Sequence, residues 1–317
     1  MEEQLFYAVD KKNYLAMKKV KYLYRQLLDY LIFKSLKNRF RKHIKSYPIT
    51  SGRLFDVQSL KIMLNGRFEN YELISLKNNV FNKINSKNTN ALDIGANIGN
   101  HSLFFSNYFL NVYSFEPSEI NFELLKLNIK SKANIKAFKY GASSKDQKIV
   151  LYTLSNSDTG HSSVMYSENS NINFDNKETI DLVNLDNFLD KKNISNVKFI
   201  KIDVEGYEFE VFKGIQELIK KDKPIIAFEQ LINGLKNHTS DSINFLKKNN
   251  YNYFYETDFA RRKKHRFKIF YIFSSLIHIF KVILIRNYNQ TYKIKKINNF
   301  EIKDYPMIIA SPEDLQK

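Results

Sequence analysis

An α/β fold, a mostly parallel sheet with helices on both faces, is what this chain predicts, on three observations. The first is a glycine turn, Leu92-Asp93-Ile94-Gly95-Ala96-Asn97-Ile98-Gly99, in which an apolar run passes through two glycines into a helical stretch. A glycine lacks Cβ and permits both a tight turn and a close backbone approach. The second is an acid at the end of the next apolar run, Asn111-Val112-Tyr113-Ser114-Phe115-Glu116-Pro117, 23 residues after Asp93. An acid about 20 residues beyond a glycine turn is placed to bond ribose hydroxyls. The third is the alternation itself, strand with helix, from Ala91 to Glu229, which implies a sheet covered on both sides.

The elements follow in order. Strand one ends at Asp93 and a helix runs from about Ile98 to Phe109. Strand two is Val112 to Glu116, and Pro117 stops it and opens a helix over Ile120 to Lys130. Ile135 to Tyr140 is strand three, with Gly141-Ala142-Ser143-Ser144 after it, read either as a plain turn or as a segment that runs near a ligand. Gln147 to Leu154 is an extra strand, followed by a polar loop from Ser155 to His161. Phe199 to Asp203 is strand four, with a helix from Glu208 to Lys220, and Pro224 to Glu229 is strand five. Ser240 to Asn249 is helical, Asn250 to Glu256 is extended, and Tyr305 to Ala310 is a last strand.

The glycine spacing, acidic-x-Gly-x-x-x-Gly, differs from the G-x-G-x-x-G of dinucleotide enzymes. A carboxylate at the strand end suits a cationic ligand group, which favours S-adenosylmethionine over a pyrophosphate. Asp-Ile-Gly-Ala-Asn-Ile-Gly, then Phe-Glu-Pro, then Lys201-Ile202-Asp203-Val204-Glu205-Gly206-Tyr207-Glu208 resembles the FkbM-type methyltransferases. The segment Thr179 to Leu189, with Leu185-Asp186, precedes that block as in the family. The resemblance covers roughly Asn65 to Tyr255. It implies a Rossmann-like class I fold, S-adenosylmethionine as cofactor, and O-methylation of a small molecule or sugar.

On this reading Asp93, Gly95, Ala96, Asn97 and Gly99 receive the amino-acid end of the cofactor. Glu116 and Pro117 lie at the ribose, Ala142 near the adenine, and Asp203 at the carboxyl end of strand four, where open α/β sheets bind ligands. Asp203, Glu205 and His161, in that order, are candidates to take an acceptor's proton. No metal is expected; the alternative is an oxygen-ligated divalent cation on Asp203 and Glu229. A competing view of Glu116, Glu205 and Glu208 is that they only cap helix starts. His101 and His238 read as packing or surface residues.

There is no cysteine, which excludes disulfides and thiolate metal sites. The first ten residues are acidic and lack a cleavable signal pattern. The net charge of +17 is uneven. Lys11 to Lys45 carries 12 Lys/Arg against one acid, and Ala260 to Lys317 carries 13 against 4. Ser46 to Phe259 carries 25 of each sign. Three regions are therefore expected: a basic helical flank over 1–50, a catalytic core over 51–259, and a basic and apolar tail over 260–317.

In the first flank, Leu15, Val20, Leu23, Leu27, Leu31 and Leu36 recur at helical spacing. In the tail, Arg261-Arg262-Lys263-Lys264-His265-Arg266 precedes an apolar stretch, Phe267 to Ile285. Lys268, His278 and Lys281 interrupt it, so it reads as interfacial or buried rather than spanning. A cytoplasmic enzyme held peripherally at an anionic inner membrane face, acting on a sugar, glycan or glycolipid hydroxyl, unites these features. The rivals are a nucleic-acid methyltransferase gripping phosphates with its flanks, and a non-catalytic membrane-associated protein with a vestigial cofactor fold. Neutrality around the glycine turn, and Asp203-Val204-Glu205-Gly206 where base-amine methyltransferases carry Asn/Asp-Pro-Pro-aromatic, disfavour the first.

Overall fold

A computed structural model of the chain describes residues 26–27, 30–31, 34, 52, 58–59, 61–62, 66–153, 162–163, 176–257 and 292–317. The polybasic run and the apolar stretch expected over 261–285 lie outside the described residues, as does the loop with His161. None of the described helices is long and apolar enough to cross a membrane. The chain divides into two units: Met1–Pro48 with Arg53–Phe68, and Ile49–Gly52 with Glu69–Lys317. In the first, residues 26, 27, 30, 31 and 34 are helical, as are 58, 59, 61 and 62. Ile62 is buried, and its carbonyl accepts from Gly66 N–H at 2.6 Å.

The second unit opens with α1 (Asn70–Leu76), which continues as a π-helical turn through Lys77–Phe81. Then come β1 (Asn90–Ile94), α2 (Asn100–Phe105), β2 (Asn111–Phe115), α3 (Glu119–Ile129) and β3 (Ile135–Phe138). β4 (Gly141–Ser143), β5 (Gln147–Thr153), β6 (Ser162–Ser163) and β7 (Asn176–Asn184) follow. Next are α4 (Leu185–Lys191), β8 (Val197–Ile202), α5 (Glu208–Gly214), α6 (Gln216–Asp222) and β9 (Ile225–Gln230). Last come α7 (Asp241–Lys248), β10 (Tyr253–Thr257), β11 (Ile294–Lys296) and β12 (Tyr305–Ser311).

Eight strands form one sheet in the order β11-β10-β12-β9-β8-β1-β2-β3. β3, β2, β1, β8 and β9 are parallel, and β12 enters antiparallel between β9 and β10. This is the Rossmann-like architecture of class I methyltransferases. Because successive side chains of a strand point to opposite faces, each strand feeds two cores. Leu92, Ile94, Phe115, Ile200 and Ile202 pack with Phe212 and Phe228 on one face. Ala91, Val112 and Phe199 pack with Leu73, Phe81, Phe105 and Leu125 on the other. All of these side chains are buried, and burying one such side chain is worth about 1.5 to 3 kcal/mol.

Two expectations fail here. Gly141 to Ser143 is not a turn: it is β4, paired parallel with β7, in a second sheet of order β4-β7-β5-β6. Leu182, Val183 and Asn184 satisfy its backbone, and a Cβ on Gly141 would stand 2.3 Å from the Leu182 side chain. The helix expected from Glu208 to Lys220 breaks into α5 and α6 at Gly214 and Ile215. There β4 crosses so closely that a Cβ on Gly214 would lie 1.9 Å from the Ser143 carbonyl oxygen. The Asp186 carboxylate then accepts from the amides of Glu217 and Leu218, at 2.8 and 3.0 Å, and starts α6.

Candidate active site

The carboxyl ends of β1, β2, β8 and β9 deliver Asp93, Glu116, Asp203 and Glu229 to one edge of the sheet. The register aligns Asp93 with Ser114 on one side and Lys201 on the other. Asp93 is fully buried. Its Oδ2 accepts from Ser102 Oγ at 2.5 Å, and that hydroxyl lies 2.8 Å from Ser114 Oγ. Its Oδ1 is buried with no partner among the described residues. A buried carboxylate oxygen left unpaired is costly unless a ligand completes it.

The turn after Asp93 is tied down by the Phe115 carbonyl, which accepts from the amides of Gly95 and Ala96 at 3.0 and 2.9 Å. Gly95, Asn97 and Gly99 all have positive φ, at 79°, 48° and 91°. What fills the space at Gly95 is protein and not ligand, since a Cβ there would stand 1.8 Å from the Asp203 carbonyl oxygen. Gly99 likewise makes room for Leu125 of α3. Ala96 is buried.

Glu116 links the turn to the next helix. One oxygen accepts from Asn97 N–H at 2.8 Å, the other from Ser118 N–H at 3.1 Å. Burial pushes this carboxyl up to about 7, against the pull of those two amides. Asn121 Nδ2 also reaches the second oxygen, at 3.5 Å, and since a carboxylate offers about four acceptor positions, capacity remains for a ribose hydroxyl. Pro117 follows, with its ring carbons about where a Cβ on Gly141 would touch them. Ala142 is buried within β4 and belongs to the main core.

Lys201 is the largest feature the sequence reading passed over. It is almost fully buried, and its Nζ lies 2.9 Å from Asp203 Oδ2. Burial disfavours its charge, but the carboxylates of Asp203, Asp93 and Glu69 outweigh that and hold its pKa above the ordinary lysine value. Glu69 comes from the residue before α1, in a left-handed conformation with φ 49°. Its carboxylate lies 3.1 Å from Nε2 of buried His101, out of hydrogen-bond alignment. His101 is therefore a packing residue beside that carboxylate. His238 is elsewhere engaged, its Nδ1 2.7 Å from the Phe300 carbonyl oxygen.

Beyond Asp203 the chain turns through Glu205 and Gly206, at φ 53° and 98°. Glu208 braces this turn, accepting from Gly206 N–H at 3.1 Å and Val204 N–H at 3.3 Å. It is buried, and its carboxyl is pushed up to about 7. Asp203, Glu205 and Glu229 bring carboxylate oxygens within 4.8 Å of one another. Burial first, and then the charges of Asp203, Glu205 and Glu208, push Glu229 up to about 9. Its Oε2 is buried and has no partner among the described residues.

Comparison with known proteins gives the family. The model of the methyltransferase FkbM domain matches residues 93–253, just over half of the chain. The chain belongs to the FkbM methyltransferase family. The family model is that of a methyltransferase domain. A hexuronic acid methyltransferase, AglP, of Haloferax volcanii is 26% identical over 136 residues, covering 43% of this chain and 53% of that protein. The chain thus matches about half the length of that relative. Among solved structures, a methyltransferase FkbM from Methylobacillus flagellatus is 20% identical with TM-score 0.36, covering 61% of this chain and 47% of that one. A methyltransferase of Streptococcus mutans in complex with S-adenosylhomocysteine is 10% identical with TM-score 0.34, covering 75% and 97%.

The cofactor of this family fits the residues present. Asp93 presents an unsatisfied buried oxygen, as an ammonium would require. Glu116 stands one strand away, held by two amides.

Proposed function

We propose that this FkbM methyltransferase methylates a hydroxyl of a sugar or glycan. The observation that carries the reading is the buried, unpaired Asp93 oxygen beside a carboxylate-lined sheet edge, in a family with a sugar-methylating relative. The bound cofactor would supply a methyl group on a sulfonium. Asp93 and the Gly95–Gly99 turn would hold its amino-acid end, and Glu116 its ribose. Asp203 and Glu205 accept hydrogen bonds from the hydroxyls of a polyol, and Glu229, its carboxyl pushed up to about 9, offers an O–H donor beside them near neutral pH. They fix the nucleophilic oxygen, an orientation effect, and the same cluster takes its proton. His161, the remaining base candidate, lies outside the described residues.

The test is calorimetric titration with S-adenosylhomocysteine of the wild type, Asp93→Ala and Glu116→Ala. Micromolar binding by the wild type, lost in both variants, supports the cofactor assignment. Methyl transfer from labelled cofactor to a panel of neutral sugars and uronates then tests the acceptor. A folded wild type that binds no S-adenosylhomocysteine would falsify the reading.

A further inference from the structure

Among the described residues, the helix of the first unit shows an exposed apolar face. Leu27, Tyr30 and Leu31 are 57%, 56% and 53% exposed, and they sit at i, i+3 and i+4 of one helical stripe. Lys34 continues the stripe one turn on, with its Nζ 5.7 Å from the Tyr30 ring centre. Single exposed leucines are ordinary, but three large apolar side chains on one helix face form a patch. The sequence around them, Lys11 to Lys45, holds 12 Lys/Arg against one acid, while Ser46 to Phe259 is balanced at 25 against 25. The positive charge is thus concentrated on the segment that shows the apolar face.

We propose that the helix bearing Leu27, Tyr30 and Leu31 docks the enzyme on an anionic lipid surface. The two properties act together. An interfacial helix buries its apolar side chains at the headgroup boundary, while basic residues beside them meet lipid phosphates. Tyrosine suits that depth, with an apolar ring and a polar tip, and lysine stems reach past apolar neighbours to the charged layer. A nucleic-acid backbone would use the cations but leave Leu27 and Leu31 in water. The proposal rests on the exposed stripe and the charge, so it stands or falls apart from the acceptor's identity.

The experiment is co-sedimentation of the full chain with phosphatidylcholine vesicles, with and without phosphatidylglycerol, at low and high salt. The expected result is pelleting only with phosphatidylglycerol, weakened by salt. It should be about tenfold weaker in the triple variant Leu27→Ser, Tyr30→Ser, Leu31→Ser. An unchanged thermal midpoint shows that the variant is folded, as the exposure of all three positions leads one to expect. No pelleting, equal pelleting with neutral vesicles, or a triple variant that partitions like the wild type would each overturn the proposal. So would loss of vesicle binding to an excess of single-stranded oligonucleotide that the triple variant binds as well as the wild type does. That outcome would assign the basic residues to nucleic acid and leave the apolar face without a role in binding.

Discussion

Glu116 couples burial to ligand binding. Its carboxyl is pushed up to about 7 by burial, with the Ser118 and Asn97 amides opposing and the Glu178 charge adding to the rise. The ionised form is the stronger acceptor for a ribose hydroxyl. S-adenosylhomocysteine affinity should therefore rise about tenfold between about pH 6 and about pH 8, and Glu116→Gln should abolish the slope. For folding the sign is opposite. The folded pKa lies above the unfolded one, so this contribution to stability is complete below about pH 4.5 and is lost as pH rises through 7. Lys201 gives a second prediction. Lys201→Met leaves Asp203, Asp93 and Glu69 facing one another without their buried cation. Asp203 keeps about a third of its side chain exposed, which reduces the cost of losing one partner, about 3 to 5 kcal/mol for a fully buried pair, to about 1 to 3 kcal/mol. Chemical denaturation should show a loss of that size near neutral pH and a smaller one in acid, where protonated carboxyls no longer repel.

The glycine turn is the element whose geometry tolerates least. At Gly95 a methyl group meets both a φ of 79° and the Asp203 carbonyl oxygen at 1.8 Å. At Gly99 the φ is equally unsuitable, but the obstacle at 2.7 Å is the end of the Leu125 side chain, which can move. Gly95→Ala should therefore destabilise by about 3 kcal/mol or more and Gly99→Ala by about 1 to 2, read as the difference between two thermal midpoints. This turn was legible because its positive φ angles at Gly95 and Gly99 demand glycine locally, whatever packs against them. The break between α5 and α6 was not, because apolar periodicity runs through Gly214 and only the crossing of β4 interrupts it. The same limit hid part of the site. Asp93, Glu116, Asp203 and Glu229 each end an apolar run and can be read from spacing. Lys201 looks like Lys198 in the same strand until the sheet buries it, and Glu69 meets it only through the fold.

At the scale of the molecule, the parallel core was legible because strands and helices alternate along the chain. The far half of the sheet is built differently. β12 lies between β9 and β10, pairing Ile308, Ile309 and Ala310 with Phe228, Ala227 and Ile226, and again with Glu256, Tyr255 and Phe254. Met307, Ile308 and Ile309 are buried on alternating faces and join both cores. Three such side chains contribute about 4 to 9 kcal/mol on burial, comparable to the whole stability of a domain. The strand is also pinned beyond its end, where the Tyr255 hydroxyl donates to Asp314 at 2.7 Å and accepts from Leu315 N–H at 2.8 Å. A chain cut after residue 304 would lose these contacts and expose the facing edges of β9 and β10. It should fail to fold cooperatively and lose S-adenosylhomocysteine binding, although every proposed cofactor residue remains. Ile309→Ala should keep a cooperative transition at a cost of about 2 to 5 kcal/mol. A truncated chain with a sharp thermal transition would instead make β12 an addition to a core that already stands without it.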